Sequence, residues 1–217
     1  MDVRNVSTGR FRRSPRKARP PGAASQATPQ LIETGELGEV YLTADEIRGR
    51  VSELGAEIAR DYEGRNPILV ASLKTSVFFL ADLSRALKIS HAIDFVALAG
   101  YAGRTPRSGV RLIKDLDVSI TGREVLLVED VVDTGLTLNY VCKTFGLREP
   151  ASLSAVTFLD RPYRRLVDDL PVKYIGFTVP DEFFVGYGFD LDERYRHLPD
   201  LHLARLSNTP SSGSLTG

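Results

Sequence analysis

The residues best suited to chemistry form one short segment, DTGLT, at positions 133–137. It follows an apolar run of strand length and precedes a run with helical spacing, so it should contain a helix start. The free amides and the positive dipole end at such a start suit a phosphate. Gly135 permits close approach of the backbone, and Thr134 and Thr137 add hydroxyls. The segment therefore predicts a phosphate cradle.

Two acids, Glu129 and Asp130, lie at the carboxyl end of the apolar run, just before this cradle. Carboxylates do not neutralise a phosphate. As a pair they either accept hydrogen bonds from the vicinal hydroxyls of a sugar or orient a hydrated Mg²⁺. A ribose 5-phosphate fits both halves of the segment. Asp-Thr-Gly also occurs in aspartic proteases, which pair two such carboxylates, but this chain has one copy in an alternating strand and helix pattern.

Alternating strands and helices surround the segment. A capping box at Thr43 and Glu46 predicts a helix over 44–62. Apolar runs predict strands at 68–73, 91–101, 110–117, 125–128, 152–159 and 172–179, and helices follow at 76–87 and after the cradle. This order predicts an α/β fold with a mostly parallel twisted sheet flanked by helices. A ligand is then expected at the carboxyl ends of the strands.

Composition limits the class of protein. Lys plus Arg and Asp plus Glu number 28 each, so a nucleic-acid partner is not expected. A single cysteine and the absence of an apolar run of roughly 20 residues predict a reducing, cytoplasmic location without a membrane span. Residues 1–32 are predicted to be a disordered basic tail, 33–206 the folded domain, and 207–217 a second disordered tail.

The two acids and the cradle together resemble the phosphoribosyl-pyrophosphate loop of type I phosphoribosyltransferases. Four further segments extend the resemblance to the hypoxanthine-guanine phosphoribosyltransferases, from about Leu37 to Leu206: LVASLKTSVFFLADL, GYAGRTPRSGVRLIKDLD, VTFLDRP and GFTVPDEFFVGYGFDLDERYRHLPDL. They resemble the family's pyrophosphate loop, flexible loop, purine-facing strand end and hood. The resemblance implies the type I phosphoribosyltransferase fold with a small hood.

The resemblance also implies roles for individual residues. It implies phosphoribosyl transfer to a 6-oxopurine (hypoxanthine, guanine or xanthine), with Mg²⁺ as cofactor and a homodimer or homotetramer as the assembly. The implied catalytic residues are Asp133, as proton acceptor, with Lys74, Arg196 and Tyr101. The implied substrate-binding residues are Glu129, Asp130, Thr134, Gly135, Leu136, Thr137, Thr75, Arg161, Phe183, Phe184 and Asp190, and the implied metal ligands are Glu129, Asp130 and Asp190.

Three positions depart from the family pattern. Thr75 replaces the glycine after the loop lysine, and a cis peptide is expected between Lys74 and that residue. Such a bond predicts local strain beside Lys74. Gly100 replaces the serine before Tyr101, and Arg161 replaces the lysine that faces the purine. These departures, with the basic tail, leave open an alternative, a regulatory homologue that binds nucleotide or RNA with little catalysis.

Overall fold

The computed structural model describes residues 37–99 and 110–205. The two predicted tails and the tip of the flexible loop, with Gly100 and Tyr101, lie outside the described residues. The elements, in chain order, are β1 Leu37–Leu42, α1 Ala44–Asp61, β2 Ile68–Ser72, α2 Ser76–Ala86, β3 Ala92–Ala99, β4 Arg111–Lys114, β5 Glu124–Val132, α3 Leu136–Gly146, β6 Ser152–Asp160, β7 Val172–Thr178, β8 Phe184–Val185 and β9 Leu201–Ala204.

The central sheet has six strands in the order β4-β3-β2-β5-β6-β7. All neighbours are parallel except β4, which runs antiparallel to β3. The predicted α/β fold with a mostly parallel sheet is confirmed. β2 and β5 are neighbours, with Ala71 opposite Val128, so the segments that follow these two strands meet at one edge of the sheet.

Helix α1 begins as its sequence predicts. The Thr43 hydroxyl accepts from the amide of Glu46, and the Glu46 carboxylate accepts from the amide of Thr43, which is a complete capping box. The apolar face predicted from helical spacing is buried, with Leu54 and Ile58 both at 0% exposure. Of the helices in the two described ranges, none has the length and apolar character to cross a bilayer.

A second, antiparallel sheet of three strands, β1-β9-β8, forms the hood. Strands β1 and β9 were not predicted. They pair Leu37 with Ala204, from opposite ends of the described chain, and have only six and four residues. Such short strands carry little periodic signal, and their pairing depends on contacts distant in sequence. The hood anticipated from the resemblance is therefore present, but its strands were not evident from local pattern.

Candidate active site

A pocket of about 280 Å³ opens at the carboxyl ends of β2 and β5. Eight of the predicted site residues line it: Lys74, Thr75, Glu129, Asp130, Asp133, Thr134, Gly135 and Thr137. The volume is close to the lower end of the range typical of ligand pockets, roughly 300–1,000 Å³. The sheet order thus brings the predicted phosphate cradle, the acid pair and the loop lysine to one cavity.

The cradle has the predicted local structure. Helix α3 begins at Leu136, and Gly135 precedes it with φ +82° and no side-chain cap. The amide of Leu136 lies 3.4 Å from the Thr134 hydroxyl that accepts its hydrogen bond. The side chain of Leu136 itself is 41% exposed, so its predicted role rests on its backbone amide. First-turn amides without a capping side chain at the N-cap are suited to bind an anion.

Gly135 is required chiefly by its backbone conformation, and an added Cβ would also contact a neighbouring leucine side chain. A Cβ there would lie 2.6 Å from Leu170 Cδ1, at a φ that side chains rarely adopt. We expect Gly135→Ala to lower the melting temperature and to weaken ribose 5-phosphate binding in calorimetry. The matched control is Gly122→Ala, because Gly122 has φ +68° with nothing within 4 Å of the added atom. Gly122→Ala should lower the free energy of unfolding by about 1–2 kcal/mol, because alanine is strained in a left-handed backbone conformation. Equal losses in both variants would show that the Leu170 contact is unimportant.

Glu129 is buried and Asp130 is partly buried, and the two adjacent carboxylates are electrostatically unfavourable as they stand. Glu129 is 6% exposed. Burial, with the nearby charge of Asp130, raises the pKa of Glu129 to about 8. Burial also raises the pKa of Asp130, against the opposing effect of two backbone amides, the Thr75 hydroxyl and the charge of Arg196. Adjacent buried carboxylates are stabilised by a cation or by hydrogen-bond donors, so this pair fits both a divalent metal and sugar hydroxyls.

Asp190, the third predicted metal ligand, has other partners. One of its oxygens lies 2.8 Å from Nη2 of Arg196, and the other accepts from the amide of Glu193. Within 37–99 and 110–205, no three acidic, histidine or cysteine side chains surround a common metal position. A ready-made three-carboxylate site is therefore absent from these ranges. Mg²⁺ is commonly held by one or two carboxylates together with waters and substrate phosphates, so Glu129 and Asp130 remain a fitting donor set.

Asp133 lies between two arginines. Its Oδ1 is 3.1 Å from Nε of Arg164, and its Oδ2 is 3.9 Å from Nη1 of Arg161. Arg164 also pairs with Asp181 at 2.8 Å. Sequence analysis missed Arg164, which lies in the one-turn helix after β6 and belongs to no motif. The only available signal was the cluster of arginines that follows the predicted strand.

The two adjacent phenylalanines of the hood, Phe183 and Phe184, differ in exposure and in contacts. Phe183 is 44% exposed, whereas Phe184 is 4% exposed and packs in the core. The Arg161 guanidinium lies 5.6 Å from the centre of the Phe184 ring, and its Nη2 donates to the carbonyl of Glu182. Phe184 in turn packs against Tyr41 of β1, with ring centres 4.9 Å apart. Phe183 is thus the exposed member of the pair, while Phe184 supports Arg161.

The structure corrects the expected position of the cis peptide in the loop that carries Lys74. The cis peptide joins Leu73 to Lys74, not Lys74 to Thr75. Thr75 has φ −58° and ψ −44°, a right-handed conformation that any residue adopts. The threonine needs no glycine-like backbone here, and its effect must come from its side chain.

Lys74 and Arg196 are brought together through Glu193. The Lys74 amine lies 3.1 Å from Oε1 of Glu193, and Nη2 of Arg196 lies 3.2 Å from Oε2. The two bonds lower the pKa of Glu193, with Lys74 the larger cause. Two cations that share one exposed carboxylate are positioned to bind a multiply charged anion beside the pocket.

These features, a phosphate cradle and an acid pair at the carboxyl edge of a parallel sheet, are those of an enzyme that binds a phosphorylated ribose. The family model described as phosphoribosyl transferase domain matches residues 40–193. The chain therefore belongs to the phosphoribosyltransferase family, and its relatives place it with the hypoxanthine-guanine phosphoribosyltransferases, as the resemblance implied.

Among these relatives is the hypoxanthine phosphoribosyltransferase of Salmonella typhimurium, 46% identical over 164 residues, which cover 74% of this chain and 92% of that protein. The hypoxanthine-guanine phosphoribosyltransferase of Mycobacterium tuberculosis is 41% identical over 185 residues, or 82% of this chain and 89% of that one. A crystal structure of the Bacillus anthracis hypoxanthine-guanine phosphoribosyltransferase matches with a TM-score of 0.74 and 40% identity, over 79% of this chain and 99% of that one.

Proposed function

We propose that this protein transfers the phosphoribosyl group of phosphoribosyl pyrophosphate to a ring nitrogen of a 6-oxopurine: hypoxanthine, guanine or xanthine. The products are the nucleoside 5′-monophosphate and pyrophosphate, and the reaction serves purine salvage. The observation that carries the proposal is the single pocket in which cradle, acid pair and Lys74 meet. The names of the relatives support the purine as acceptor.

Each part of the substrate has a matching group. The cradle amides and the hydroxyls of Thr134 and Thr137 bind the 5-phosphate. Lys74 and Arg196, which flank Glu193, bind the pyrophosphate group. The exposed ring of Phe183 stacks on the purine.

The reaction requires little covalent chemistry from the protein. The bond between the ribose and pyrophosphate breaks with build-up of positive charge on the sugar and negative charge on the leaving group. Lys74 and Arg196 stabilise that negative charge. Asp133 accepts the proton that the purine nitrogen loses as the new bond forms. Mg²⁺, when bound by Glu129 and Asp130, supplies further positive charge for the phosphate oxygens.

We further propose that the enzyme works in the cytoplasm as a homodimer or homotetramer. A solved structure of the Trypanosoma cruzi hypoxanthine phosphoribosyl transferase, with a TM-score of 0.73 and 39% identity, addresses the role of the C-terminal region in the oligomeric state and enzymatic activity of that protein. Sedimentation velocity on the purified full chain measures the assembly directly. A monomer at all working concentrations would contradict this part of the proposal.

Pyrophosphate release with a panel of bases tests the function. Hypoxanthine, guanine, xanthine, adenine and uracil are each added with phosphoribosyl pyrophosphate and Mg²⁺, beside a reaction without base. We expect release with at least one 6-oxopurine and very little with adenine or uracil. Release with none of the bases, together with RNA binding that weakens steeply as salt rises, would support the regulatory homologue instead.

A further inference from the structure

The hydroxyl of Thr75 joins two parts of the site that the sequence keeps far apart. It accepts a hydrogen bond from Nη1 of Arg196 at 3.0 Å. Burial raises the pKa of Asp130, and the same hydroxyl, as a hydrogen-bond donor, opposes that rise. A hydroxyl has one proton to donate and lone pairs to accept, whereas a guanidinium only donates and a carboxylate only accepts. The direction of the chain of bonds is therefore fixed, from Arg196 through Thr75 to Asp130.

The Thr75 hydroxyl is one of several groups that hold the Arg196 guanidinium. Nη1 also donates to the carbonyl of Gly188 at 2.8 Å, and Nη2 is held by Asp190 and Glu193. Gly188 packs directly on the loop, because a Cβ added there would lie 2.6 Å from the carbonyl oxygen of Thr75. Glu193 is exposed, and we expect pyrophosphate to displace it. Asp190 then still holds Nη2, and Thr75 and Gly188 hold Nη1 of the planar guanidinium.

We propose that Thr75 is a positioning residue, whose hydroxyl orients Arg196 toward the pyrophosphate group and couples that arginine to the Glu129 and Asp130 pair. The inference rests on the proposed function, since it takes pyrophosphate as the ligand of Arg196. Stabilisation of a leaving group depends on donors fixed before the reaction. The side chain matters here, and the backbone does not, because Thr75 has ordinary helical φ and ψ.

Two substitutions separate the hydroxyl from the rest of the side chain. Thr75→Val keeps the branched shape and removes the hydroxyl, whereas Thr75→Ser keeps the hydroxyl and removes the methyl group. We expect Thr75→Val to weaken binding of inorganic pyrophosphate roughly tenfold in calorimetry at fixed Mg²⁺, because hydrogen bonds to charged groups are the stronger ones. The KM for phosphoribosyl pyrophosphate should rise with it, while the KM for the purine stays unchanged. Thr75→Ser should restore pyrophosphate binding to within about twofold of the unmutated protein, since the donor and acceptor remain.

Thr121→Val is the matched control. Thr121 donates its hydroxyl proton to the carbonyl of Arg148 beyond the amino end of β5, at the opposite end of that strand from the pocket. Its loss should leave pyrophosphate binding unchanged. Thermal melts of all variants show whether each is folded, and if Thr75→Val is unfolded, Thr75→Ala replaces it in the comparison with Thr75→Ser.

The outcomes distinguish the inference from the function it rests on. Unchanged pyrophosphate affinity in Thr75→Val, or a loss in Thr75→Ser as large as in Thr75→Val, overturns the role of the hydroxyl. An unmutated protein that neither releases pyrophosphate with a purine nor binds it overturns the proposed function. Loss in Thr75→Val with rescue in Thr75→Ser, in a protein that turns over, supports both.

Discussion

Replacing Asp133 by asparagine is expected to lower kcat by roughly 10²–10⁴-fold, the usual contribution of a general base. Binding of phosphoribosyl pyrophosphate should change little, because the cradle that holds its phosphate is formed by backbone amides and the hydroxyls of Thr134 and Thr137. Asparagine keeps the shape of the side chain but cannot accept a proton. Stopped-flow or steady-state turnover gives kcat, and calorimetry gives the affinity. A drop in kcat at constant affinity is the signature of a group needed only in the transition state.

The arginine beside Asp133 makes a control necessary. Nε of Arg164 lies 3.1 Å from Asp133 and its Nη1 lies 2.8 Å from Asp181, so either carboxylate could serve merely to hold the arginine. Asp181→Asn removes the other partner of Arg164 and leaves Asp133 in place. If Asp133 accepts the proton, Asp181→Asn retains most of the activity. Similar losses in the two variants, or full turnover in Asp133→Asn, would remove Asp133 from the chemistry.

The phosphate cradle was predictable because its signal is local. Strand, turn and helix start lie within a few residues, and Gly135 has the positive φ that the turn requires. The acid pair and the neighbouring cradle then fall in one pocket once the sheet is parallel, since parallel strands present their carboxyl ends at one edge. Sequence therefore predicted the centre of the site and most of the central sheet.

The contacts that complete the site were not predictable from local pattern. The bond from Arg196 to Thr75 joins residues 121 positions apart. The pairing of Arg164 with Asp133 depends on where the chain turns after β6. Even with the resemblance, the expected cis bond was placed one residue too late, because the position of such a bond depends on the tertiary surroundings and leaves no mark on hydrophobic periodicity. Packing across the fold decides these features.

Arg161→Met is expected to abolish most of the activity with 6-oxopurines while phosphoribosyl pyrophosphate binding is retained. The guanidinium is held from two sides, by the Phe184 ring at 5.6 Å and the carbonyl of Glu182. Its Nε is buried and has no hydrogen-bond partner among the described residues. The side chain as a whole is 14% exposed, and its guanidinium can only donate hydrogen bonds, so the oxygen at the 6-position of hypoxanthine or guanine is a matching acceptor.

The same reasoning predicts discrimination against adenine. An amino group at the 6-position offers hydrogens to a side chain that can itself only donate. Adenine therefore forfeits a charge-assisted hydrogen bond, typically about 1.5–3 kcal/mol, which corresponds to discrimination of roughly 10-fold to 150-fold. Arg161→Lys should keep the preference for 6-oxopurines because it remains a cationic donor, with an altered KM because the planar fork is lost.

Arg148, which stacks on a phenylalanine ring away from the pocket, is the matched control for Arg161. Arg148 lies 5.1 Å from the Phe145 ring and pairs with Asp115 at 2.7 Å, so Arg148→Met removes a similar stacked cation away from the pocket. We expect Arg148→Met to lose stability without a change in base preference. Ratios of kcat/KM for hypoxanthine and adenine in Arg161→Met, Arg161→Lys and Arg148→Met then decide the assignment. Efficient use of adenine by the unmutated protein would show that Arg161 does not select the base. Full hypoxanthine activity in Arg161→Met would show that another group binds the 6-position, because a methionine cannot donate to the purine oxygen.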